Sequence, residues 1–256
     1  MKKLFFIIIF LFLLTSCTKI KENPFLTIIK EYNYNSKLLK EYEKYYNESN
    51  NIIYALNKVH YPNFLTPNSS EYLSFKLNNI QFVNTNYKLN KTFIPKTLTT
   101  IENVDYIKRE NQTMMLDKET FNAYKELFLE SLNNNLHLMI YSAYRSYEYQ
   151  ESLYNKENNE FVAKPGKSEH QTGCAIDIGT TNTGLTSYFD NTLESTWLEK
   201  NAYKYGFILR YPKDKEFITG YPYESWHYRY VGINAAKIIY ENNLTLEEYF
   251  YNYIIL

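Results

Sequence analysis

The sequence predicts an α+β fold built on a small antiparallel β-sheet flanked by helices. Three observations predict it. Strand-like runs are short and rich in β-favouring residues, helical periodicities stand apart in the chain, and nowhere do strand and helix alternate in the βαβ manner of a parallel sheet. Phosphate-cradling glycine loops and a GxSxG elbow are absent.

The elements follow in order. Lys2 and Lys3 precede an unbroken apolar run over residues 4–14. It is too short to span a membrane, which takes about 20 residues, and reads as an export signal. Residues 18–50 are polar and tyrosine-rich; Leu38, Leu39, Tyr42, Tyr45 and Tyr46 recur at helical spacing, which predicts a tether or helical extension. The main domain is expected over residues 51–256, with its catalytic core over 100–256. Residues 55–67 and 82–98 echo each other weakly and read as extended, proline-punctuated segments wrapping that domain.

Phe121, Tyr124, Leu127, Phe128 and Leu132 predict a helix over 117–133, and residues 136–144 a strand that feeds Arg145. A second helix follows from Ser146, with Tyr149 and Leu153 on one face. The Pro165-Gly166 pair marks a loop, and residues 174–179 a short buried strand carrying Asp177. A third helix is expected over 193–204, strands over 205–212 and within 218–232, and a closing helix over 233–243.

Charge narrows the partners. Lys+Arg number 28 and Asp+Glu 28, and no basic stripe is concentrated anywhere. The footprint that holds phosphate backbones is missing, so no nucleic-acid partner is expected. Only two cysteines occur, Cys17 and Cys174. If Cys17 is consumed at the export signal, Cys174 has no partner for a disulfide and reads as a small buried hydrophobe rather than a metal ligand.

The chemistry lies in two stretches, SEHQTGCAID at 168–177 and ESWHYR at 224–229. A catalytic zinc commonly takes three protein ligands and leaves its fourth position to water; His170, Asp177 and His227 meet that quota. Gly173 lets the chain turn from a loop carrying His170 into a strand carrying Asp177, which we prefer to a helix aligning the pair. Taken singly, each is as easily a core histidine or a capping aspartate. Together with Glu224 they form a set, since a carboxylate beside such an ion can take a proton from water and return it to a departing amine. Arg145, a fixed guanidinium at a strand end, suits a carboxylate or a developing oxyanion, or a structural ion pair.

Four ordered stretches, AYRSYEYQ, SEHQTGCAID, YGFILRYP and ESWHYRYVG, together resemble the VanY-type D-alanyl-D-alanine carboxypeptidases. That zinc peptidase family trims cell-wall stem peptides and includes closely similar L,D-carboxypeptidases. Its SxHxxGxAxD motif is met by Ser168, His170, Gly173, Ala175 and Asp177, and its ExWHxR motif by Glu224, Trp226, His227 and Arg229. The resemblance spans residues 80–250. It implies Zn2+ on His170, Asp177 and His227, Glu224 as general base and acid, and Arg145 at the oxyanion or the substrate carboxylate. It also implies a substrate groove lined by Ser168 and Gln150, with Trp226 and Arg229 in support.

The expected function is therefore removal of the terminal D-alanine from peptidoglycan stem peptides by a zinc-dependent D,D-carboxypeptidase. L,D-carboxypeptidase action on tetrapeptides shares every motif, and a wall-binding lipoprotein that has lost catalysis is the alternative of another class. Leu14-Thr15-Ser16-Cys17 resembles the lipobox of bacterial lipoproteins, which implies acylation at Cys17 and attachment to the outer face of the membrane. Nothing in the residues fixes an oligomeric state.

Overall fold

The computed structural model describes residues 35–49, 55, 59, 72–77, 79–109, 113–157 and 161–250. Helix α1 (Leu39–Ser49) continues a short 3-10 turn and packs Tyr42 against Ala55, as its apolar periodicity requires. The strands β1 (Tyr72–Leu73), β2 (Phe75–Leu77), β3 (Ile80–Phe82), β4 (Tyr87–Lys88), β5 (Leu98–Thr100) and β6 (Met115–Asp117) then form three two-stranded ribbons: β1 with β4, β2 with β3, and β5 with β6.

Helix α2 (Lys118–Asn133) starts where the Asp117 side chain accepts from the Glu119 N–H. Such a cap is typically worth about 1 kcal/mol. Beyond it come β7 (Met139–Ser142), α3 (Tyr147–Glu157), β8 (Ala175–Gly179), α4 (Leu193–Asn201), β9 (Phe207–Tyr211), the short α5 (Glu216–Thr219), β10 (Glu224–Tyr230), α6 (Ile233–Glu241) and α7 (Leu246–Phe250). The last four strands make the central sheet, in the order β7-β8-β10-β9, with every neighbouring pair antiparallel. The predicted α+β class is what the chain adopts.

Strand alternation divides the sheet into two faces. Ile176, Ile178 and Tyr228 join Phe121, Tyr124, Leu127 and Phe128 of α2 in the main core. Each such side chain contributes roughly 1.5–3 kcal/mol when fully buried. Asp177, His227 and Arg229 stand at the intervening positions, away from that core. A second core joins Ile208 of β9 to Ala236 and Ile239 of α6, Phe250 of α7 and Phe82 of β3, so the N-terminal ribbons are packed into the domain.

Two expectations need correction. Residues 55–67 read as extended, yet Ala55 and Val59 are helical; Ala55 is fully buried against Tyr42, so packing against α1 outweighs the proline punctuation downstream. The loop expected over 163–170 holds as far as Ser168, and its last two residues belong to a 3-10 turn, Glu169–Thr172, in which Thr172 Oγ1 donates to Glu169 O at 2.6 Å. The export signal, Cys17 and all of residues 18–34 lie outside the described residues.

Candidate active site

His170 sits on the 3-10 turn Glu169–Thr172, which Gly173 ends in the left-handed conformation at φ 71° before β8 begins. That is a loop entering a strand. Asp177 lies in the middle of β8 and is paired directly with His227 of β10. Glu224 needs a further device. Between Glu224 and Tyr228 the β10–β9 register shifts: Glu224 faces Tyr211 and Tyr228 faces Leu209, so four steps along β10 match two along β9. This irregularity breaks strict alternation and brings Glu224 Oε2 within 3.7 Å of His227 Nδ1.

The donor atoms converge. His170 Nε2 lies 3.2 Å from Asp177 Oδ2, and His227 Nδ1 lies 3.0 Å from Asp177 Oδ1. One ligand atom from each residue falls within 4.8 Å of the others, the one such group of three among the described residues. His170 Nδ1 is held 2.7 Å from the Ala143 carbonyl, so it carries the proton and Nε2 presents a lone pair. His170 Nε2 is buried without a hydrogen-bond partner, as a metal-facing nitrogen would be. Two imidazoles and a carboxylate, buried and without a fourth protein donor in the group, fit a catalytic zinc.

Electrostatics agree with that geometry. Burial, with the Arg145 cation beside it, pushes His170 down to about 4, keeping it neutral. Burial also works against charge on His227, but Asp177 and Glu169 outweigh it and push that ring up to about 9. Burial would raise Asp177; the two histidines instead hold it well below the usual carboxylate range. The pocket therefore attracts positive charge, which a divalent cation supplies in place of protons. Glu224 is pushed up to about 7 by burial, with Asp177 adding to the effect. A carboxyl poised there is suited to moving protons at neutral pH.

Arg145 donates its backbone N–H to His170 O at 3.2 Å, and its Nε is a buried donor without a partner. It lines a cavity of about 200 Å³ together with Asp177, Tyr149, Leu153 and Leu185. Ser168 precedes the 3-10 turn and is buried, with no capping bond from its hydroxyl. Gln150 is buried too, and its amide donates to Ala163 O at 2.7 Å. Neither Ser168 nor Gln150 lines the cavity beside Arg145. Cys174 is half-buried and stands outside the ligand group, its thiol 3.6 Å from Thr172 O. Sequence reasoning overlooked Glu169, whose carboxylate sits 3.5 Å from His227 Nε2; its place immediately before a ligand histidine was the available signal.

Residues 113–233 match the sequence pattern of the VanY family, described as D-alanyl-D-alanine carboxypeptidase. A Bacillus subtilis protein named as a carboxypeptidase, YodJ, is 44% identical over 184 residues, 68% of this chain and 67% of that one. This chain belongs to the VanY family. Among solved structures, the LdcB LD-carboxypeptidase superposes with a TM-score of 0.63 at 37% identity, over 73% of this chain and 97% of that one. The VanY D,D-pentapeptidase of a VanB-type resistance cassette, solved with Zn(II), does so with a TM-score of 0.54 at 32% identity, over 65% of this chain and 96% of that one. With the converging His/Asp group, these likenesses make the VanY-family chain a metallopeptidase whose cofactor is zinc.

Proposed function

We propose that this chain removes the terminal D-alanine from peptidoglycan stem peptides as a D,D-carboxypeptidase. The observation that carries the reading is the convergence of His170, Asp177 and His227 with the Glu224 carboxylate 3.7 Å from the His227 ring. His170, Asp177 and His227 would hold the cation. When bound, zinc lowers the pKa of its water to about 7 and polarises a carbonyl oxygen. Glu224 accepts the proton as the water oxygen joins the carbonyl carbon, then hands it to the amine as the C–N bond breaks. Arg145 lines the adjoining cavity with a guanidinium whose Nε is buried and unpartnered, which suits a C-terminal carboxylate or the developing oxyanion.

The likeness to the LdcB LD-carboxypeptidase favours a second reading, in which the bond cut joins D-alanine to an L-centre of a tetrapeptide stem. Incubating purified protein with pentapeptide and tetrapeptide muropeptides, followed by mass spectrometry, separates the two. Loss of one alanine from the pentapeptide alone supports D,D action; loss from the tetrapeptide alone supports L,D action. No cleavage of either, with zinc bound, would mean a wall-binding protein.

The export signal and the Leu14-Thr15-Ser16-Cys17 stretch support attachment of the enzyme to the outer face of the membrane through acylated Cys17. Replacing Cys17 by alanine is expected to release the protein from the membrane fraction and abolish fatty-acid labelling. Retention and labelling in that variant would refute the anchor.

A further inference from the structure

Four charged side chains lie buried beside the metal face of the sheet, and none lines the cavity at Arg145. Glu169, Arg210, Arg229 and Glu247 are each at most 1% exposed. Arg210 donates from its two terminal nitrogens to Glu247 at 2.8 and 2.6 Å, and from Nε to Glu169 Oε1 at 2.8 Å. Arg229 Nη1 donates to that same Oε1 at 2.9 Å. Two positive and two negative charges cancel in the interior, which is the condition under which buried charge is tolerated.

Glu169 uses its two oxygens unequally. A carboxylate serving only the arginines would turn both oxygens to them, as Glu247 does in its paired contact with Arg210. Instead Oε1 takes both guanidiniums, and Oε2 faces His227 Nε2 at 3.5 Å. Those two atoms are both buried, and neither has a hydrogen-bond partner elsewhere. On the far side of the ring, Nδ1 faces Asp177 Oδ1 at 3.0 Å and Glu224 Oε2 at 3.7 Å. The ring is thus bracketed by a carboxylate at each nitrogen, only one of which belongs to the converging group.

We propose that Glu169 is the positioning residue of the metal centre: clamped by Arg210 and Arg229, it accepts the His227 Nε2 proton and so commits Nδ1 to the cation. The proposal rests on the reading of His227 as a zinc ligand and adds which nitrogen binds and what holds it. Arg229, the last residue of the ExWHxR stretch, acts through Glu169 and touches no reacting atom. Outer carboxylates that fix the tautomer of a ligand histidine typically contribute about 10- to 100-fold in metal affinity.

Ring nitrogen-15 NMR of the zinc-loaded wild-type protein is expected to show His227 protonated at Nε2 and metal-bound at Nδ1. In Glu169→Gln the amide oxygen is drawn to the two guanidiniums, leaving the NH2 group against the Nε2 proton. Zinc Kd measured by chelator competition should then rise about 10- to 100-fold in a protein of unchanged circular dichroism. Binding through His227 Nε2, or an unchanged Kd in folded Glu169→Gln, overturns the proposal; should the variant not fold, the wild-type spectrum decides alone. Wild-type protein that takes up no zinc overturns instead the ligand assignment beneath it.

Discussion

Asp177 and His227 stand directly opposite one another on β8 and β10, with Asp177 Oδ1 3.0 Å from His227 Nδ1. Sheet register itself sets two of the three proposed ligands. Asp177→Asn leaves the strand pairing intact and removes the anionic ligand. Zinc affinity is expected to fall by more than the roughly 10- to 100-fold typical of an outer partner. Metal content after dialysis measures this; full retention of zinc would remove Asp177 from the ligand set.

Glu224→Gln should retain zinc and lower kcat about 10²- to 10⁴-fold, the usual contribution of a positioned general base. The wild-type rate should rise with pH as Glu224 ionises. Burial, with Asp177 adding to it, pushes this carboxyl up to about 7, and a nearby cation favours its charged form, so the acid limb is expected at or below that value. A kcat/KM profile of the two proteins checks both points, and an acid limb that persists unchanged in Glu224→Gln would count against Glu224.

Arg145→Ala is expected to cost about 10²- to 10³-fold in kcat if the guanidinium serves the oxyanion. A raised KM with kcat preserved would assign it to the substrate carboxylate instead. Steady-state kinetics on a pentapeptide distinguish them, and a variant with neither change places Arg145 outside the chemistry.

Metal-free protein should lose stability as pH rises from about 6.5 to about 9, the window of His227, whose folded value of about 9 lies above its ordinary 6.5; Glu224, raised from 4.5 to about 7, contributes its share of the loss below about 7. Between the ordinary and folded values the native state binds more protons than the unfolded chain, so unfolding free energy falls with pH there. Asp177 acts oppositely, since its lowered value gives stability above the ordinary carboxylate range that is lost on acidification. Calorimetry should show Tm declining on the alkaline side without metal and holding steady with zinc. A metal-free Tm that climbs through the window would contradict the assignment.

Gly173→Ala forces a side chain into the left-handed turn between His170 and β8, where a Cβ would lie 3.1 Å from the Asp117 nitrogen and from Leu98. Left-handed backbone costs a non-glycine residue roughly 1–2 kcal/mol. Urea unfolding should register at least that loss; an unchanged midpoint would mean that the turn relaxes freely.

The sheet and its long helices were legible because their apolar spacing is regular: Phe121, Tyr124 and Phe128 mark α2, and Ile176 and Ile178 mark β8. The converging residues were legible from motif spacing, and the loop-to-strand route from Gly173. What periodicity could not disclose was contact across long stretches of chain. Ala55 docking on Tyr42, the β10 irregularity that redirects Glu224, and the Glu169–Arg210–Glu247 chain all depend on partners far apart in sequence. Ser168 and Gln150, suggested by likeness alone, turn out buried, with the Gln150 amide tied to a main-chain carbonyl.

Arg210 reaches Glu169 on one side and Glu247 of α7 on the other, so the support of His227 depends on a helix that lies 37 residues further along the chain. Until that helix arrives, one guanidinium in the interior lacks half its counterions. Hydrolytic competence would therefore arise only once α7 has docked, as a late step of folding.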